Sequence, residues 1–329
     1  MRQTKFDNFI SRNLAYLIFI MVVATIPLFV SSRFYMHILI MCGIWGIAAA
    51  SMNLIMGYTG QVNLAHGAFF GIGAYSTGLL MLKLGINFWL ALIMACFITV
   101  AIGFCIGLLA FRTKGSYYAI GTMCFNVIVT VIIENWENLT EGVRGLLGIP
   151  RPTPIPFPFG KEINFTTMAA NYYLVFFFLI LTLLIIRRIV NSMMGKSLLA
   201  VRGNEELAES LGINTLFTKL KSFLISVFFA GLAGGLYASY IGFLSPEISD
   251  YHVTFEILIY CLIGGLGTMA GPIIGAFTLT VISELLHGMA FPRLVAYGFL
   301  LVVIVIFLRG GIMGGIHILW ANFLPKGKK

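Results

Sequence analysis

A chain of 329 residues that is 59% hydrophobic and only 10% charged carries too little charge for a soluble domain, where about a quarter of residues are charged. Its formal net charge is +9, but the lysines and arginines fall in the gaps between apolar runs, which points to a membrane surface and not to nucleic-acid binding. Five cysteines, Cys42, Cys96, Cys105, Cys124 and Cys261, all lie inside apolar runs with no CxxC pair; they read as buried thiols, with neither a metal site nor a disulfide framework.

Arg2, Lys5 and Arg12 precede Leu14–Val30. That stretch is too long for the apolar core of a signal peptide, and no A-x-A-like cleavage site follows, so it reads as a first span. Further spans are expected at Met36–Gly57, Leu64–Leu82, Phe88–Phe111, Ser116–Glu134 and Tyr172–Ile186, then at Ser222–Phe243, Val253–Leu266, Pro272–His287 and Leu294–Leu308. The fold class is therefore all-α: a polytopic membrane bundle of about ten helices, one transmembrane domain over residues 1–329. With the N-terminus in the cytoplasm, Arg33, Lys83, Arg144, Arg151, Lys161 and Arg293 fall outside and every other lysine and arginine falls inside. The excess puts both termini and the loop 187–221 on the cytoplasmic side.

The polar stretch from Asn53 to Tyr75 is the candidate substrate path. Gly57-Tyr58-Thr59-Gly60 should break a helix, and Asn63 is placed to cap the next one. A helix interrupted at membrane depth offers N–H groups that suit a carboxylate; at the membrane face the same break is only a turn. Gln61, Asn63, His66 and Gly67 are the candidate lining residues. Glycine pairs spaced GxxxG, at Gly67–Gly71, Gly103–Gly107, Gly231–Gly235, Gly271–Gly275 and Gly311–Gly315, predict close helix packing.

The segment 135–171 falls outside the membrane. Pro150, Pro152, Pro154, Pro156 and Pro158 exclude helix there and favour an extended, polyproline-like path, either a connector or a contact surface for an extracytoplasmic partner.

The loop 187–221 holds a short helix over about 204–211. Asn204 caps it, Glu205 and Glu206 sit where a helix N-terminus favours negative charge, and Gly212 provides a left-handed stop. Leu207, Ala208 and Leu211 fall along one side, a small apolar face for a partner; the alternative is a solvated loop that only fixes topology. Gly195-Lys196-Ser197 ends like a phosphate-binding loop, but Val190 stands where that pattern needs glycine, so this chain is not expected to bind ATP.

No catalytic constellation or metal-ligand set accompanies His66, His252 or His287, and neither an enzymatic activity nor a cofactor is expected. Glu284 and His287 share a helix face near a span end. Glu256 is the nearest candidate for a coupling carboxylate, but it too lies near a span end, which argues against ion-coupled transport.

Several stretches in order, SMNLIMGYTGQVNLAHGAFFGIGAY (51–75), LTEGVRGLLGIPRP (139–152), GKSLLAVRGNEELAESLGIN (195–214), FLISVFFAGLAGGLYASYIGFLSPE (223–247) and GGLGTMAGPIIGAF (264–277), resemble the permeases of branched-chain amino acid ABC importers, LivM-type branch. The resemblance implies a bacterial inner-membrane complex with a second, paralogous permease subunit, two ATP-binding subunits and an extracytoplasmic substrate-binding protein. It implies that 204–211 is the helix that couples to an ATPase, with Arg202, Glu205, Glu206, Ala208 and Gly212 as its coupling residues. Glu206, Ala208 and Gly212 match the importer pattern E-A-A-x-x-x-G, with Leu207 in place of its first alanine; the hydrophobic-Leu-Pro ending of that pattern is absent. The implied ligands are leucine, isoleucine and valine, or related amino acids and amides. The alternative is a stand-alone carrier or channel for small polar solutes such as urea.

Overall fold

The computed structural model describes residues 32–156, 162–286 and 311–315, with isolated positions 25, 27 and 298. The expected first span, Leu14–Val30, and last span, Leu294–Leu308, lie almost wholly outside the described residues, as do Arg293 and His287.

Helix α1 (Arg33–Asn53) continues through a π-helical turn, Leu54–Tyr58, and is buried along nearly its whole length. The break expected over Gly57–Gly60 begins as a change of helical pitch and is completed after Tyr58, where the chain leaves the helix and Gly60 takes φ 78°. Helix α2 (His66–Lys83) carries His66, Ser76, Thr77 and Lys83 among its apolar residues, and nearly every residue on it is buried. It tolerates that composition because α9 (Thr215–Ile241), α3 (Phe88–Ala110) and α10 (Tyr251–Gly264) shield it from lipid.

The outer helices show the opposite pattern. α3, α4 (Ser116–Asn135) and α6 (Met168–Val190) are buried over about a third of their length and turn apolar side chains outward, among them Leu90, Phe97, Ile128 and Phe177. Without water to drive burial, lipid is a sufficient partner for these faces. Cys105 and Cys124 lie on α3 and α4 and are exposed, so the reading of all five cysteines as buried holds only for Cys42, Cys96 and Cys261. An apolar run identifies a span but not which of its faces meets lipid.

Five described helices are long and apolar enough to cross a membrane: α1 with its π turn, α3, α4, α6 and α9. The expected spans Val253–Leu266 and Pro272–His287 appear within two residues of their expected bounds as α10 (Tyr251–Gly264, 14 residues) and α11, which is described over Gly271–Leu286. At 1.5 Å per residue α10 reaches only about 21 Å, short of a hydrocarbon core of about 30 Å. The two form a tight hairpin in which a Cβ added to Gly264 would stand 1.8 Å from the carbonyl oxygen of Gly271.

Glycine sets the central seam. A Cβ on Gly73 of α2 would lie 2.3 Å from the carbonyl oxygen of Gly231 on α9, and one on Gly234 would lie 2.0 Å from the carbonyl oxygen of Phe70. Backbone meets backbone along this contact; the expected pairs at Gly231 and Gly103 also pack closely, but there an added Cβ would meet the side chains of Thr99 and Val227.

The segment between α4 and α6 is more structured than a polyproline connector. It contains α5 (Glu137–Thr140), a 3-10 turn at Gly142–Arg144, and the two-residue strands β1 (Leu146–Leu147), β2 (Ile155–Pro156) and β3 (Glu162–Ile163). β1 pairs antiparallel with β4 (Phe243–Leu244), Leu146 opposite Leu244, and β2 pairs with β3. Alternating prolines exclude helix but still leave backbone groups free to pair at such short edges.

Candidate functional site

The loop expected at 187–221 is mostly helical. α6 runs on to Val190, α7 (Met193–Gly203) was not anticipated, and α9 begins at Thr215, seven residues before the expected span. Gly195 stands at the corner between α6 and α7, where a Cβ would meet the carbonyl oxygen of Val190 at 2.0 Å. That close approach accounts for the glycine without any phosphate.

Helix α8 (Glu205–Ser210) follows, with capping where the sequence places it. Asn204 Oδ1 accepts from the Leu207 N–H at 3.0 Å. At the other end Gly212 has φ 82°; its N–H donates to the carbonyl of Glu209, and the N–H of Ile213 to that of Ala208. This is a Schellman stop, which a Cβ would strain. Asn214 then caps α9, accepting from the Phe217 N–H at 3.1 Å.

Two side-chain links fasten α8 to the foot of α9. Lys219 Nζ lies 2.5 Å from Glu205 Oε1, with side-chain exposures of 3% and 21%. The ammonium also sits 5.9 Å from the centre of the Phe111 ring. Thr215 Oγ1 donates to Glu209 Oε1 at 2.6 Å. Held this way, α8 turns Ala208 inward, so Ala208 does not share the outer face expected for it. Leu207 and Leu211 do face outward, at 59% and 72% exposure, beside the exposed carboxylate of Glu206.

Arg202, at the end of α7, donates to the carbonyl of Gly57 in the π turn of α1. The same turn is tied to the α10–α11 hairpin: Asn53 Oδ1 accepts from the Gly267 N–H and Asn53 Nδ2 donates to the Thr268 carbonyl, both at 2.8 Å. The α7–α8 elbow therefore holds α9 by two links and reaches α1 and the hairpin through one arginine and one asparagine.

The four residues suggested for a substrate path differ in exposure. Gln61 is partly exposed, whereas Asn63, His66 and Gly67 are buried. Asn63 caps no helix: its Oδ1 accepts from the Ala65 N–H, just ahead of α2. The first N–H groups of α2 that were expected to face a carboxylate are taken internally, Gly67 by Thr254 Oγ1 and Ala68 by Asn126 Oδ1, both at 2.8 Å. Ser51 Oγ donates to the carbonyl of Ala48 and so accepts from His66 Nε2–H at 2.8 Å. That fixes the neutral tautomer and leaves Nδ1 as a buried acceptor without a partner, as Asn63 Nδ2 is a buried donor without one. Ser249, Thr130 and Ser226 extend this polar core between α1, α4, α9 and α10. Spacing on one helix cannot reveal it, because its members lie far apart in sequence.

Among the described residues no cluster of His, Cys, Asp and Glu fits a metal ion. Glu256 Oε1 accepts from the Tyr260 hydroxyl at 2.5 Å.

The family model for the permease component of the branched-chain amino acid transport system matches residues 34–308. The chain belongs to this family. It is 30% identical to the high-affinity branched-chain amino acid transport permease LivM of Salmonella typhimurium, over 91% of this chain and 74% of that protein. It is 27% identical to LivH of the same organism, over 82% and 91%, and 23% identical to a probable LivM of Methanocaldococcus jannaschii, over 76% and 80%. No solved structure matches. The chain is a multi-pass membrane permease, a transport subunit and not an enzyme.

Proposed function

We propose that this permease forms part of the translocation path of an ATP-driven importer for leucine, isoleucine, valine or related amino acids. A second, paralogous permease completes the pore, two ATP-binding subunits drive it, and an extracytoplasmic binding protein delivers the solute. The whole chain forms one transmembrane domain in a bacterial inner membrane, with both termini and the elbow in the cytoplasm.

The observation that carries this reading is the elbow. A six-residue helix stopped at both ends and fixed to α9 by Glu205–Lys219 and Glu209–Thr215 is a rigid projection, yet it leaves Leu207 and Leu211 uncovered. A loop that only sets topology needs neither the double capping nor the paired rivets. Glu206, Leu207 and Leu211 dock on the ATPase; Glu205, Ala208 and Gly212 hold the helix in shape; Arg202 passes its movement to α1. Gln61, Asn63, His66 and Gly67 border the solute route once the polar core opens.

Reconstitution tests the proposal. Vesicles holding the chain with its co-purifying subunits take up labelled leucine only when ATP is supplied on the side of the elbow. Glu206→Lys abolishes uptake while the subunit stays in the membrane. Uptake that ignores ATP and collapses with an ionophore would instead identify a stand-alone carrier.

A further inference from the structure

At the end of the bundle opposite the elbow, α1 begins, α6 begins and α9 ends around a single recess of about 240 Å³. His37, Arg151, Thr166, Asn171 and Tyr240 supply its polar lining, and Met168 and Ile241 its apolar wall. Arg151 Nη1 donates to the carbonyl of Thr166 at 2.6 Å, which holds the guanidinium beside the start of α6. His37 Nδ1 and the Tyr240 hydroxyl share a hydrogen bond of 2.7 Å, and their rings stack at 5.5 Å. Asn171 spends its amide donors on the carbonyls of Phe165 and Thr167.

The balance of charge is positive. Among the described side chains no carboxylate pairs with Arg151. The 23-residue helix α6 adds the positive end of its dipole at the same place. A guanidinium that commits one donor among the described residues, beside a hydroxyl and an imidazole, matches an anion that offers several oxygens. Phosphate fits that fork best.

Position decides how the phosphate arrives. Phe34, Tyr35 and Tyr173 surround these helix ends at 47%, 58% and 44% exposure, as an aromatic belt does at the headgroup level of a bilayer. The apolar wall of Met168 and Ile241 continues from the polar lining, as the glycerol and upper acyl chain of a lipid require. We infer that this recess binds the phosphate headgroup of an anionic phospholipid from the leaflet at that end of the bundle. The inference does not depend on which solute the permease carries.

Native mass spectrometry of the transporter complex, titrated with phosphatidylglycerol and with a diacylglycerol of the same acyl chains, tests it. Phosphatidylglycerol binds with a first dissociation constant well below that of the diacylglycerol. Arg151→Gln raises that constant about tenfold, and Arg151→Lys, which keeps the charge and reaches the Thr166 carbonyl, recovers part of the loss. Millimolar inorganic phosphate leaves the lipid bound. Equal binding of the two lipids, or no effect of Arg151→Gln in a complex that remains assembled, overturns the inference. Full displacement by inorganic phosphate makes this a free-anion site and also overturns it. So does a variant that keeps its lipid but loses the extracytoplasmic binding protein, because the guanidinium then serves an acidic protein side chain.

Discussion

Arg202 donates a hydrogen bond to the carbonyl of Gly57 across 145 residues of sequence, joining the end of α7 to the π turn of α1. The last carbonyls of a helix have no partner within it, and here a cation from the elbow supplies one. The loop beyond Gly57 is also close: a Cβ on Gly60 would lie 2.9 Å from Arg202 Cγ. Arg202→Ala should therefore leave docking intact but weaken transmission. Uptake is expected to fall about tenfold at unchanged ATP hydrolysis, within the usual range of coupling between sites. Equal loss of hydrolysis and uptake would place Arg202 at the ATPase contact instead.

Lys219 has 3% of its side chain exposed, so removing its carboxylate partner strands a buried charge. Glu205→Ala should destabilise the chain by about 2–3 kcal/mol, less than the 3–5 of a fully enclosed pair because Glu205 keeps 21% exposure. Thermal unfolding in detergent measures the loss. Adding Lys219→Met to Glu205→Ala removes the stranded charge and should recover most of it.

Leu207 and Leu211 touch little of their own chain. The double change Leu207→Ser, Leu211→Ser should leave the melting temperature within a degree or so of the parent while reducing recovery of ATP-binding subunits on purification, by about tenfold if the pair anchors the contact. Ala208→Asp should do the reverse first, lowering stability, because Ala208 is 2% exposed.

Gly73→Ala places a methyl carbon 2.3 Å from a backbone oxygen that cannot swing aside, and should prevent stable assembly. Gly121→Ala is the control: nothing lies within 4 Å of its added carbon, so expression and melting should match the parent or improve. Size-exclusion profiles of the two variants separate a packing role from a general need for glycine.

Local signals in the sequence located what local physics controls. Asn204 and Gly212 delimit α8 because capping is decided within four residues, and the long apolar runs mark α3, α4 and α6 because lipid contact needs only hydropathy. The contacts that assemble the elbow and the polar core were not legible. Arg202 finds Gly57, Asn53 finds Gly267 and Asn126 finds Ser249 across more than a hundred residues, and nothing in the periodicity of either partner announces the other. α10 and α11 stand within two residues of their expected bounds, again because an apolar run is a local signal; a run covered in part by protein needs no minimum length, whereas one facing lipid does.

The α2–α9 seam has a mechanical corollary. With Gly73 pressed on Gly231 and Gly234 on Phe70, neither helix has room to bend into the other, and the two offer a large close contact that favours their moving together. α9 starts beside the Glu205 and Glu209 rivets and ends at Ile241, next to Tyr240, about 40 Å away for 27 residues. A tilt applied at Thr215 is thus delivered as a lever stroke to the far end of the molecule, where His37 and Tyr240 stack, with α2 carried along as part of the same beam.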